Sequence, residues 1–167
     1  MIKLMACTAA FAVMVAAGPV AAATNQITID PTVAANNVLT LDVAGSQNVL
    51  VISQTAPVGA ASPNQMLVSI SGDENGGSSD AFSGPALLSG LTPGHLSQSG
   101  EGNMMALSVT GSGNLFAMAQ TGSFNSVTGT IQGQNNQTAV VQVGTGNHFS
   151  FSQVGNGNII NISQTSW

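Results

Sequence analysis

From Asn103 onward an asparagine recurs every eleven residues, at Asn103, Asn114, Asn125, Asn136, Asn147 and Asn158. A glycine stands three residues before each, at Gly100, Gly111, Gly122, Gly133, Gly144 and Gly155. Six residues after four of the asparagines stands a glutamine, at Gln120, Gln142, Gln153 and Gln164, while Val109 and Ile131 hold the other two places. A fixed period constrains a fold more than any local motif does, because one small unit must be built repeatedly and must bury its apolar face against its own neighbours.

The unit reads as a strand and a turn. The second and fourth residues after each asparagine are Met105 and Leu107, Phe116 and Met118, Val127 and Gly129, Thr138 and Val140, Phe149 and Phe151, and Ile160 and Ile162; ten of these twelve are apolar. The residues between them are mostly small or polar, as in Ser126, Thr128 and Thr130, so the alternation has period two and predicts a strand with one buried face. In the turn from Gln142 to Asn147, Gly144 and Gly146 supply the positive backbone angles that a tight reversal needs.

Two strands and two turns make a 22-residue coil, and stacking such coils at about 4.8 Å per rung buries a continuous apolar stripe between two sheets. The predicted fold is therefore all-β, a β-solenoid with two strands per coil in an amyloid-like cross-β stack. The asparagines, together with Gln98, Gln120, Gln142, Gln153 and Gln164, fall on the inward parity. An unpaired buried amide costs about 1 to 3 kcal/mol there, so ladders of amides bonded from rung to rung are the expected structural site. With coils 22 residues apart, Gly129 neighbours Phe151, and Thr138 lies between Phe116 and Ile160, so large side chains meet small ones.

Three turns carry the full pattern Gln-x-Gly-x-Gly-Asn: Gln98 to Asn103, Gln142 to Asn147 and Gln153 to Asn158. On these residues the region resembles the curlin repeat of curli fibre subunits, whose unit closes on a glutamine six residues after the asparagine. The resemblance covers about seventy residues. It implies a secreted bacterial structural subunit, major or nucleating, of extracellular functional amyloid for adhesion and biofilm formation. The implied partners are further copies of the chain, a nucleating homologue, and an outer-membrane export pore with accessory chaperones. The implied location is the extracellular fibre or cell surface, reached through the periplasm. Departures are the replacement of the opening serine of the half-repeat by asparagine and the lack of a counterpart to the glycine-rich segment that precedes curlin repeats.

Residues 1–23 carry Lys3, an apolar run from Leu4 to Val20, and Ala21-Ala22-Ala23. A charged start, a short hydrophobic core and a small-residue cleavage site predict a secretory leader cut near Thr24; the alternative, a membrane anchor, would want a longer run. Residues 24–70 read as divergent strands of the same solenoid, with Asn37 and Asn48 eleven apart and Asn64 displaced by a loop containing Pro57 and Pro63. Residues 71–97 read as a Gly/Ser/Pro-rich insertion. Asp73, Asn75 and Asp80 in it match a calcium loop poorly, so a solvated loop is expected, followed by a degenerate strand over residues 92–98. Residues 98–167 are the regular repeats.

Loss of the leader removes the only lysine and the only cysteine, leaving a chain with no Lys, no Arg and no thiol. Disulfides and phosphate recognition by cationic side chains are excluded for that chain, and no nucleic-acid partner is expected. His148 is predicted to face outward and His95 to lie in a loop, without a carboxylate or thiol at ligand spacing. No serine sits in a nucleophile elbow. The expectation is a protein that is not an enzyme and needs no cofactor or metal. The alternative is a monomeric secreted β-solenoid binding module of adhesin or ice-binding type. Ice binding would want a flat threonine array, which only Thr128 and Thr130 approach.

Overall fold

The computed structural model describes residues 2–4, 12–17, 25–30, 37–77, 81–87 and 89–167, the first two segments as backbone alone. Thirteen strands and one short helix follow one another along these residues. They are β1 (Ile2–Leu4), β2 (Ala12–Ala17), β3 (Gln26–Asp30), β4 (Val38–Ala44), β5 (Val49–Thr55), β6 (Gln65–Ser71), α1 (Gly84–Leu87), β7 (His95–Glu101), β8 (Met104–Ser112), β9 (Leu115–Ser123), β10 (Ser126–Gln134), β11 (Gln137–Thr145), β12 (His148–Val154) and β13 (Ile159–Thr165).

Consecutive strands alternate between two sheets. The odd-numbered strands form one sheet of seven, in the order β1-β3-β5-β7-β9-β11-β13, and the even-numbered strands form another of six, from β2 to β12. Every neighbouring pair is parallel. Parallel strands need a crossover, and here the intervening strand of the opposite sheet provides it.

The register follows the sequence period. Ser126 pairs with His148 and Gln137 with Ile159, twenty-two residues on. The step is longer where extra chain intervenes: Val38 pairs with Gln65, Gln65 with Met104, and Val51 with His95. These steps keep the inward parity, because a slip of one residue would turn each apolar set to solvent. Inward side chains of both sheets build one core that runs from Ile27 and Ile29 through Leu41, Ile52, Val68, Leu96, Leu107, Phe116 and Val140, with Phe149, Phe151 and Ile162 packed half-buried against its end. Gly129 does face Phe151, and Thr138 does stand between Phe116 and Ile160.

The insertion is shorter and more ordered than the sequence suggests. Gly72 and Asn75 belong to a repeat turn, and Asn75 is fully buried, so the solvated loop expected from Asp73 to Asp80 is corrected over that stretch. Asp80 itself lies outside the described residues. Beyond it, Phe82 and Ala86 of the α1 segment pack with Leu115, Ala117 and Ala139 on the outer face of the odd sheet, with Leu91 beside them. That is why β9 and β11 are buried on both faces while other strands alternate. The strand expected over residues 92–98 begins at His95, which is therefore exposed on a strand and not in a loop. His148 is exposed, as its parity requires. The leader expected over residues 1–23 falls mostly outside the described residues; its segments Ile2–Leu4 and Ala12–Ala17 lie beside β3 and β4.

Candidate functional site

The inward amides form three columns. One asparagine column runs Asn25, Asn48, Asn75, Asn114, Asn136, Asn158, and the other Asn37, Asn64, Asn103, Asn125, Asn147. At every step but one the earlier Oδ1 accepts from two donors of the later residue, its backbone N–H and its Nδ2; at the exception, Asn37 Oδ1 accepts the Asn64 N–H alone, and Asn64 Nδ2 turns to Thr55 O and Gly100 O. Asn103 Oδ1, for example, accepts from the Asn125 backbone N–H at 3.1 Å and from Asn125 Nδ2 at 3.0 Å. The second Nδ2 proton goes forward to a turn carbonyl: Asn125 donates to Gly144 O at 3.0 Å and Asn103 to Gly122 O at 2.9 Å. A buried amide so bonded has its acceptor and both donors satisfied, which removes the desolvation penalty.

The glutamines form one column, on the odd sheet only. Gln54 Nε2 donates to Gln98 Oε1, Gln98 to Gln120, Gln120 to Gln142 and Gln142 to Gln164, all at 2.8 to 2.9 Å. Each also donates to a carbonyl of the facing even strand, as Gln120 does to Met104 O at 2.9 Å. Gln153 stands apart from this column. Its strand neighbour is Ile131, which in turn faces Val109, and its Oε1 accepts from Thr138 Oγ1 at 2.7 Å. Val109 and Ile131 are therefore not lapses in the pattern; on the even sheet that column is apolar, with Ile70 and Val43 continuing it.

Glycine fills two close-approach columns because no side chain fits there. A Cβ on Gly111 would run into the Gly133 carbonyl, and one on Gly100 or Gly122 into the carbonyl of the next turn. Positive φ angles, 107° at Gly144 and 118° at Gly111, favour glycine as well. The residue just before a ladder asparagine is left-handed from Asn48 onward except at Asn64, which Pro63 precedes, and this holds even where it is not glycine: Gln47, Glu74, Phe124 and Asn135 have φ between 55° and 58°.

The columns have direction. Asparagine acceptors point toward the β12 and β13 end, and glutamine donors point the same way. At that end Asn147 and Asn158 offer Oδ1 onward, Gln164 Nε2 donates only to His148 O at 3.3 Å, and Phe149, Phe151, Ile160 and Ile162 are half-buried. The two rings stack with centroids 5.8 Å apart. At the opposite end, Gln54 Oε1 is the one buried side-chain polar atom among the described residues without a partner.

Other chemistry is sparse. No group of three potential metal-binding side chains exists among the described residues, and no helix there is long and apolar enough to cross a membrane. Asp73 accepts from the Ser46 hydroxyl at 2.8 Å and the Ser46 N–H at 2.7 Å, which together hold its carboxyl below the ordinary range.

Asn75 is the ladder residue the sequence reading misses. Its signal was present, eleven residues after Asn64 with Gly72 three residues before, but was hidden by Gly/Ser/acid composition. The single glutamine column was legible too, in the 22-residue spacing of Gln98, Gln120, Gln142 and Gln164. No protein-family model matches the chain, and no curated protein or solved structure does.

Proposed function

We propose that the chain is a secreted structural subunit, a β-solenoid of 22-residue coils that adds end to end into extracellular curli-like amyloid fibres for adhesion and biofilm cohesion, and that it works without catalysis. The observation that carries this reading is the unfinished edge formed by β12 and β13. Its backbone groups have neighbours on one side only, its core residues are half-buried, and its amide columns stop with bonding capacity left over.

Natural edge strands are usually blunted by charge, proline or a bulge. β12 and β13 carry neither proline nor an Asp, Glu, Lys or Arg side chain. The two ends of the stack differ, so their contact is head-to-tail, and a head-to-tail contact that does not close on itself gives an open filament. The curlin-like turns at Gln98, Gln142 and Gln153 point the same way. The proposed partners are further copies, with a nucleating homologue and an export pore following from that resemblance.

The test is growth of purified residues 24–167 followed by thioflavin fluorescence, with and without preformed seeds. Fibre formation whose lag is abolished by seeds supports the reading. A β-rich protein that stays monomeric with seeds present would contradict it and favour a solitary binding module.

A further inference from the structure

The fibre reading above leaves open how one copy meets the next, and strand counting limits the answer. When Ile2–Leu4 and Ala12–Ala17 leave with the leader, the odd sheet holds six strands, β3 to β13, and the even sheet five, β4 to β12. Six rungs on one side and five on the other cannot both continue across a joint. If β13 of one copy paired with β3 of the next, the even sheet would miss one strand at every joint, and a strand-wide gap of about 4.8 Å would open on the core.

The orphaned Gln54 Oε1 points to a different joint. We propose that β3 is a removable plug, and that in the fibre β13 of one copy takes its place against β5 of the next, while β12 pairs with β4. Both sheets then contribute five strands per copy, and every column continues. Gln164 Nε2 reaches Gln54 Oε1, extending the glutamine ladder from copy to copy. Asn158 meets Asn48, Asn147 meets Asn37, and Gly155, which no neighbouring turn now approaches, lies against Gly45.

The fit of β3 in this slot is a shortened imitation of β13. Asn25, Ile27 and Ile29 have the spacing of Asn158, Ile160 and Ile162, and Pro31 follows where Gln164 would stand. Asn25 Oδ1 accepts from the Asn48 N–H at 2.9 Å and from Asn48 Nδ2 at 3.1 Å, and Asn25 Nδ2 donates to Gly45 O at 3.0 Å. Ile27 faces Leu50 and Ile29 faces Ile52. Asn158, Ile160 and Ile162 can make the same contacts. Proline has neither a side-chain amide nor an N–H, so the imitation cannot complete the glutamine column. The chain thus covers its own docking rung with a strand of five residues, which the seven-residue β13 of a second copy outmatches. This makes β3 a brake on assembly that the correct partner releases.

The test uses the 24–167 chain, which has no cysteine of its own. Copies carrying Ser163→Cys are co-assembled with copies carrying Ser53→Cys, or with copies carrying Asp30→Cys, and then oxidised. Cross-linked dimers from the 163–53 mixture, without dimers from the 163–30 mixture, are expected. Dimers from the 163–30 mixture, or fibres with neither cross-link, would overturn the proposal. Failure of the unsubstituted chain to form fibres would instead overturn the fibre reading itself. A second variant, Ile27→Asn with Ile29→Asn in the full 24–167 chain, should speed seeded growth by about tenfold if the open form is otherwise about a tenth of the population. Unchanged or slower growth would show β3 to be a docking rung or a bystander.

Discussion

Gly129 faces Phe151 across the parallel pairing of β10 and β12, and a methyl group at 129 would stand inside the Phe151 ring. The glycine is thus the room that the ring occupies, at a place where its own backbone makes no special demand. Overfilling a packed core costs about 1 to 3 kcal/mol, so Gly129→Ala should lower stability by that amount. In a Phe151→Leu background the cost of Gly129→Ala should fall by at least about 0.5 kcal/mol, the coupling expected of residues in contact. Denaturant unfolding of the four proteins measures it.

The glutamine column and Gln153 should respond differently. Gln120→Leu leaves Gln98 Nε2 with Gln65 O as its one acceptor and takes the Nε2 donor from both Gln142 Oε1 and Met104 O, and a loss of about 2 to 3 kcal/mol follows from these broken buried bonds. Gln153→Ile restores the apolar character of its column, takes the acceptor from Thr138 Oγ1 and removes a long 3.3 Å bond to Gln137 O, so about 1 kcal/mol is expected. Equal losses in thermal or chemical unfolding would show that the column is not a stabilising unit.

Two glycines two residues apart separate conformation from space. Gly146 has φ 71° and open surroundings, so Gly146→Ala should cost only the left-handed penalty, about 1 to 2 kcal/mol. Gly144 has φ 107° and its Cβ would meet the Ser166 carbonyl. Gly144→Ala must therefore part the last two turns, and amide exchange in β13 should rise sharply in that variant while remaining near native in Gly146→Ala.

Asp73 supplies a pH dependence of defined sign. Its carboxyl is held below the ordinary carboxylate range by the Ser46 hydroxyl and N–H, so its contribution is fully present above that range and is lost as pH falls through the lowered folded value. Asp73→Asn should therefore be less stable than the unsubstituted chain at pH 7, with the difference disappearing only as pH falls through the lowered folded value. Because the carboxylate is exposed, the difference should be small. Melting temperatures of the two proteins across pH 2 to 7, a range set by the ordinary carboxylate value, measure it.

What the sequence reveals and what it hides follow from periodicity. Phe116, Met118, Val140 and Ile162 repeat on one parity, so strand, face and register were legible before any coordinates. The outer-face packing of Phe82 and Ala86 obeys no period. Its only trace is that Leu115, Ala117 and Ala139 are apolar where Ser and Thr prevail, and a lone apolar residue on a strand's outer face says nothing about what covers it. Asn75 was hidden for the opposite reason: it keeps the period, but its neighbours Asp73, Glu74 and Gly76 have the composition of a loop. The direction of the amide columns, and the orphan at Gln54, exist only in three dimensions.

The central claim is that copies of this chain continue one another's sheets. Fibre diffraction from aligned, seeded assemblies of residues 24–167 tests it most directly. The account predicts a meridional reflection near about 4.8 Å and an equatorial one near about 10 Å, from strands stacked along the fibre and two sheets face to face. Assemblies lacking the meridional reflection, or a solution that remains monomeric by sedimentation while retaining its β-sheet spectrum, would contradict it.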